Sequence, residues 1–157
     1  MRNEGSPLAH IFFPESEHMK SAEEFKEIVE TIDNPLHYPE LNAEKVSEFY
    51  LEGVDTNSTE ALKLAFYDFF GDLIITCPTY HFAKQFAQSS PKRDALFYEW
   101  TYPSKLIQST VGCTKDMGVC HASELEYVFG FSLMMNETDR QFSEDVMKMW
   151  TNFAKNG

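Results

Sequence analysis

The chain has 157 residues, 43% hydrophobic and 15% aromatic, which suits one domain with a real core and is too apolar for a disordered tail. Its formal charge of −12 argues against nucleic acid or anionic membrane surfaces as partners, because a phosphate backbone would be repelled by the net field. No run approaches the roughly 18 consecutive apolar residues of a membrane span, and the N-terminus lacks the basic, then apolar, then small-residue order of a secretory leader.

In chain order, Met1-Arg2-Asn3-Glu4-Gly5-Ser6-Pro7 is expected to be a turn, since Gly, Ser and Pro oppose regular structure. A domain that starts on a carboxylate-bearing turn, with no element before it, has the look of a cut edge. Ser21-Ala22-Glu23-Glu24 forms a capping box ahead of Phe25, Ile28, Val29 and Ile32 at helical spacing, and Asn34-Pro35 stops that helix. Asn42 caps a second helix carrying Val46, Phe49 and Tyr50, ended by Gly53. Asn57 or Ser58 opens a third, with Leu62, Ala65, Phe66, Phe69 and Phe70 on its apolar face.

After Gly71, Asp72 is a candidate cap for a further helix holding Pro78, Phe82 and Phe86, broken at Ser89-Ser90-Pro91. Ala95 to Tyr102 is apolar on both faces and rich in aromatics, the pattern of a strand buried within a sheet. Pro103 to Cys120 is expected to be mostly loop. A last helix runs from about Ser143 through Val146, Met149, Trp150 and Phe153. One strand cannot make a sheet, so five or so helices with one central strand suggest part of a larger α/β protein.

Three cysteines, Cys77, Cys113 and Cys120, make an odd number without a metal-type C-x-x-C pair. Cys113 and Cys120 are spaced for a small closed loop just before His121, or stand as two unpaired thiols. The sequons Asn57-Ser58-Thr59 and Asn136-Glu137-Thr138 favour the secretory route and make Asn57 and Asn136 glycosylation candidates. If Asn57 both caps a helix and bears a glycan, two roles compete for one side chain.

The stretch Gly118-Val119-Cys120-His121-Ala122-Ser123-Glu124 sets a histidine where a glycine-containing loop gives way to an apolar segment. His is the side chain most easily tuned for proton transfer near neutral pH. Alone, the residue is better explained as a surface or hydrogen-bonded histidine.

Taken together, Gly118-Val119-Cys120-His121 through Glu124, Tyr127-Val128-Phe129-Gly130, the terminal Trp150-Thr151-Asn152-Phe153-Ala154-Lys155-Asn156-Gly157, Cys77-Pro78 and Asn3-Glu4-Gly5-Ser6 resemble the C-terminal part of a type-B carboxylesterase. That family includes the cholinesterases. The resemblance covers essentially the whole chain, residues 1–157, in the right order. It implies an α/β-hydrolase fold of which this chain is a C-terminal portion, mostly helical with one or two central-sheet strands.

The family's triad runs Ser, acid, His along the chain. Glu4 matches the acid and His121 the base, so the resemblance implies a serine hydrolase of small-molecule carboxylic esters that needs no cofactor or metal. No G-x-S-x-G occurs, and Gly130-Phe131-Ser132-Leu133-Met134 fails its second glycine, so the nucleophile is expected in a missing N-terminal part of the same fold. This chain alone is then expected to be inactive.

By the same resemblance, Cys77 matches a cysteine bridged to one beyond Gly157. Glu124 is either part of a buried network behind the triad or a solvated first-turn carboxylate, and Glu126 is expected to be solvated. Pro7 and Leu8 stand where acetylcholinesterases typically carry aromatics, and Ala122-Ser123 where they usually carry glycine and often an aromatic. Aromatic faces bind quaternary ammonium groups, so a general carboxylesterase is favoured over the alternatives, an acetylcholinesterase or a non-catalytic cholinesterase-like adhesion protein. A secreted or cell-surface location is expected, and a homo-oligomer is compatible with all three.

Overall fold

The computed structural model describes residues 4–32, 41–89, 94–110, 113–131 and 135–157. They fall into two compact units, Arg2–Phe97 and Tyr98–Gly157.

In the first unit, α1 (Ser6–Phe12) follows Gly5 directly and carries Pro7 in its first turn. The segment expected as a turn is a turn at Glu4 and Gly5 and already helix at Ser6 and Pro7, while its first three residues lie outside the described ones. Proline there gives up only an N–H that has no intrahelical acceptor, and its fixed φ suits the helix. A 3-10 turn (Pro14–His18) leads to α2 (Ala22–Thr31), where Ser21 Oγ accepts the Glu24 N–H at 3.2 Å. The Glu24 carboxylate reaches back to the Lys20 N–H at 2.7 Å, one residue before the cap. The stop expected at Asn34-Pro35 lies outside the described residues. α3 (Ala43–Tyr50) is capped by Asn42, which accepts the Lys45 N–H at 3.0 Å, and Gly53 beyond it takes the left-handed φ of +74°.

α4 (Thr59–Gly71) is capped by Ser58 rather than Asn57: Ser58 Oγ accepts the Ala61 N–H at 3.2 Å. Asp72, directly after Gly71, does not cap the next helix. Both keep helical angles, with φ of −61° and −64°. The chain instead passes through a π-helical turn (Asp72–Thr76) into α5 (Cys77–Ser89), where the Cys77 N–H donates five residues back to the Asp72 carbonyl. Pro78 explains the irregularity. It has no N–H to offer the carbonyl four residues earlier, and its ring crowds that carbonyl, so the ladder widens by one residue.

The core of this unit is aromatic. Phe66 and Phe70 on α4 meet Phe13 edge-on at 5.9 and 5.3 Å, and Phe25 on α2 meets Phe66 at 5.9 Å. Leu62, Val29 and Ile32 are fully buried beside them. Helical spacing predicted these faces correctly.

Ala95 to Tyr102 forms no strand. Leu96, Phe97 and Tyr98 are exposed, and no strand occurs among the described residues. A buried strand needs neighbouring backbones to take up its N–H and C=O groups, so the apolar pattern alone cannot make one.

In the second unit, the expected loop from Pro103 to Cys120 contains α6 (Lys105–Thr110) and a 3-10 turn (Lys115–Met117). Ser104 starts α6, its Oγ accepting the Ile107 N–H at 3.0 Å. A single helical turn, α7 (Leu125–Val128), packs on α8 (Glu137–Asn156). α8 begins well before Ser143 because Asn136 and Asp139 make a reciprocal capping box, at 2.9 and 3.4 Å. Trp100, Tyr127, Met135 and Val146 form the buried cluster, and Ser143 Oγ donates to the Tyr127 carbonyl at 2.7 Å, tying α8 to α7.

Candidate active site

His121 stands on a tight turn in the second unit. The Ser123 N–H donates to the Cys120 carbonyl at 3.2 Å and the Leu125 N–H to the Ala122 carbonyl at 3.1 Å, so the backbone reverses around an exposed imidazole. Two left-handed residues bracket it, Gly118 at φ +72° and Ala122 at φ +70°. Glycine adopts that conformation freely, but an alanine Cβ there crowds the backbone.

Cys120, the residue before the histidine, is fully buried and bonded to Cys113. The choice between a closed loop and two thiols falls to the loop. The imidazole therefore projects from a turn whose inner side is fixed covalently and whose outer side is open to solvent.

Of the two carboxylates that follow, the one expected to be solvated is the more deeply buried. Glu124 is half-buried. Glu126, expected to be solvated, is 1% exposed. Its Oε2 accepts the Ser104 hydroxyl and the Leu106 N–H, the latter at 3.3 Å. It therefore satisfies one backbone donor at the start of α6 that no earlier turn can reach, and the hydroxyl of the residue before the helix. Cys120, Ser123 and Glu126 are all buried at a spacing of three residues, and that periodicity was the available signal for Glu126. Ser104 had no local signal. Glu124 lies close enough to Tyr98 for its charge, after desolvation as the larger cause, to push the tyrosine hydroxyl above its ordinary value.

Glu4 belongs to the first unit. It is 5% exposed, and Gly5, Ser6 and Pro7 are buried after it. A Cβ on Gly5 would lie 2.4 Å from the Gly71 nitrogen and 2.9 Å from the Tyr67 carbonyl oxygen. The glycine is needed for this approach and not for its angles, which are helical at φ −78°. Glu4 and His121 thus sit in different units, each in a defined local setting.

Cys77 is a free, exposed thiol that lines an apolar groove of about 360 Å³ together with Tyr50, Asp72 and His81. Desolvation, then the Asp72 charge, pushes the thiol above its usual range, which disfavours the reactive thiolate. The Asp72 carboxylate accepts the Tyr50 hydroxyl at 3.0 Å. Asn57 and Asn136 are both exposed. Asn136 uses its Oδ1 as a helix cap, which leaves the nitrogen that a glycan would modify. Ser132 lies outside the described residues. Among the described residues no cluster of three His, Cys, Asp or Glu could hold a metal ion, and no helix is long and apolar enough to cross a membrane.

These features meet a family pattern that spans the chain. The model of the carboxylesterase family matches residues 1–157. The chain is 36% identical to the cholinesterase of Mus musculus over 121 residues, which cover 74% of this chain and 19% of that protein. It is 30% identical to acetylcholinesterase-1 of Trittame loki over 161 residues, or 97% of this chain and 28% of that protein. With the acetylcholinesterase of Danio rerio the identity is 27%, over 93% of this chain and 27% of that protein. The chain therefore belongs to the carboxylesterase family, whose fold is the α/β-hydrolase. It spans between about a fifth and a little over a quarter of the length of these relatives.

Proposed function

We propose that this chain is the C-terminal portion of a serine hydrolase of carboxylic esters and supplies two of its three triad residues, His121 as base and Glu4 as acid. The observation that carries the reading is the setting of His121: an exposed imidazole on a covalently tethered turn, in a chain that the family pattern matches throughout.

In the intact enzyme, the serine hydroxyl attacks the ester carbonyl carbon while His121 takes the hydroxyl proton. The tetrahedral intermediate collapses, the C–O bond to the alcohol breaks, and His121 returns the proton to the departing alkoxide. Water then attacks the acyl-serine by the same route, giving the carboxylic acid and free enzyme. Glu4 holds the imidazole in the productive tautomer and stabilises the imidazolium formed in between. The serine and the oxyanion-hole donors come from a segment other than these 157 residues, including the sheet strands that the fold requires.

A general small-molecule ester is the preferred substrate. Pro7, Leu8, Ala122 and Ser123 offer no aromatic face to a quaternary ammonium, whereas the related proteins named above are cholinesterases. Secretion fits the Cys113–Cys120 disulfide, with glycans at Asn57 and Asn136 and Cys77 bridged to a more C-terminal cysteine.

The competing reading is a cholinesterase-like binding protein that keeps the fold without the chemistry. Labelling the full-length protein with a fluorophosphonate ester probe separates the two. An enzyme takes up one equivalent on a serine outside residues 1–157. Absence of labelling on the folded protein would favour the binding protein.

A further inference from the structure

Gly71 lies on α4, in a helix that has no need of a glycine. Its φ of −61° is available to any residue. What singles it out is the neighbour: a Cβ built at Gly71 would stand 2.8 Å from the Gly5 nitrogen, 3.4 Å from the Gly5 Cα and 3.6 Å from the Glu4 carbonyl carbon. The first distance is closer than real Cβ atoms come, and the atom it meets is backbone, which cannot swing aside as a side-chain tip can. From the other side, a Cβ at Gly5 would collide with the Gly71 backbone. Two glycines thus let the peptide that carries Glu4 lie directly on α4.

We infer that Gly71 is a positioning residue for the triad acid, setting the depth at which the Glu4 carboxylate sits. This rests on the proposed role of Glu4. α4 is a firm base for the purpose, because Phe66, Tyr67, Phe69 and Phe70 in the turn before Gly71 are all buried. Glu4 is buried as well, so the displaced peptide cannot simply float into solvent. A methyl group at position 71 must lift the Glu4-Gly5 peptide away from the helix. Catalytic geometry tolerates about 0.5 Å, and an error near 1 Å can cost on the order of 100-fold in rate.

The test is Gly71→Ala in the full-length enzyme, with turnover counted per titrated serine so that only folded molecules are read. We expect kcat to fall roughly 10-fold to 100-fold with KM little changed. In a Glu4→Gln background, Gly71→Ala should add almost nothing, because the group it acts through is already lost. Gly53→Ala is the stability control: its φ of +74° opposes a side chain, yet nothing lies within 4 Å of the added Cβ. It should lower the melting temperature and leave per-site turnover unchanged.

Wild-type kcat in Gly71→Ala, or an equal further loss in the Glu4→Gln background, would overturn the inference. So would failure of Gly71→Ala to accumulate while Gly53→Ala does, since the contact would then be a folding requirement. If Glu4→Gln itself keeps wild-type turnover, the role of Glu4 as acid fails first, a result distinguishable from the others.

Discussion

Cys120 is bonded to Cys113 and immediately precedes His121, so the loop that ends at the imidazole is closed by a covalent bond across seven positions. Loop-closure entropy for a ring of this size corresponds to about 2.5 kcal/mol of stabilisation. Replacing both cysteines by serine should lower stability by about that amount in chemical denaturation. Because Cys113 and Cys120 are buried, the change should also loosen the turn locally. Esterase activity per folded molecule should drop more than in a variant destabilised equally elsewhere. Unchanged activity would show that the turn holds His121 without the bond.

Ala122 offers a change in the opposite direction. Its φ of +70° costs a residue with a Cβ about 1 to 2 kcal/mol relative to relaxed backbone, part of which a glycine avoids. Ala122→Gly should raise the denaturation midpoint, by about 1 kcal/mol of stability. A loss of stability on this change would mean that the Cβ makes contacts worth more than the strain.

Glu126 and Ser104 should behave as a coupled pair. Glu126→Ala leaves the Leu106 N–H and the Ser104 hydroxyl without their acceptor in a buried place, at a cost of about 1 to 3 kcal/mol. Ser104→Ala removes the cap of α6 as well. The double variant should be less destabilised than the sum of the two singles, measured as a double-mutant cycle in denaturant. Strict additivity would contradict the shared network.

Asp139 gives a pH signature. Its hydrogen bond from Lys105 Nζ, at 2.8 Å, is the main cause that holds its carboxyl below the ordinary range. Tyr102 and the Asn136 N–H help, and desolvation opposes them. With the folded pKa depressed, the stabilisation is complete above the unfolded value near pH 4 and is lost as pH falls through the folded value. The difference in melting temperature between wild type and Asp139→Asn should therefore be constant from about pH 5 to neutrality and shrink only below about pH 4. A difference that vanished already near pH 6 would rule out this carboxylate as its source.

What could be read from the sequence was mainly local. Ser21 and Asn42 announced their helices because a cap and its N–H partner lie three residues apart. The apolar stripes of α2 and α4 followed from helical period. The packing role of Gly71 was not legible, because a glycine that ends a helix and one that admits a neighbouring backbone look identical along the chain, and Gly5 lies far away in sequence. For a similar reason the expectation of a solvated Glu126, beside an open one for Glu124, fails. Which of them turns inward depends on Ser104, 22 residues earlier. The stretch from Ala95 to Tyr102 had the composition of a strand, but pairing is a property of neighbours. Glu4 and His121 emerged as catalytic candidates from family motifs, since nothing local to either marks it as a catalyst.

The central claim is that His121 is the base of a serine esterase. Its most direct test is steady-state hydrolysis of a small chromogenic ester by the full-length protein and its His121→Ala variant, both checked for folding by thermal melting. We expect kcat to fall by roughly 10⁴-fold or more at unchanged fold. Turnover within a few-fold of wild type in a folded His121→Ala protein would contradict the assignment.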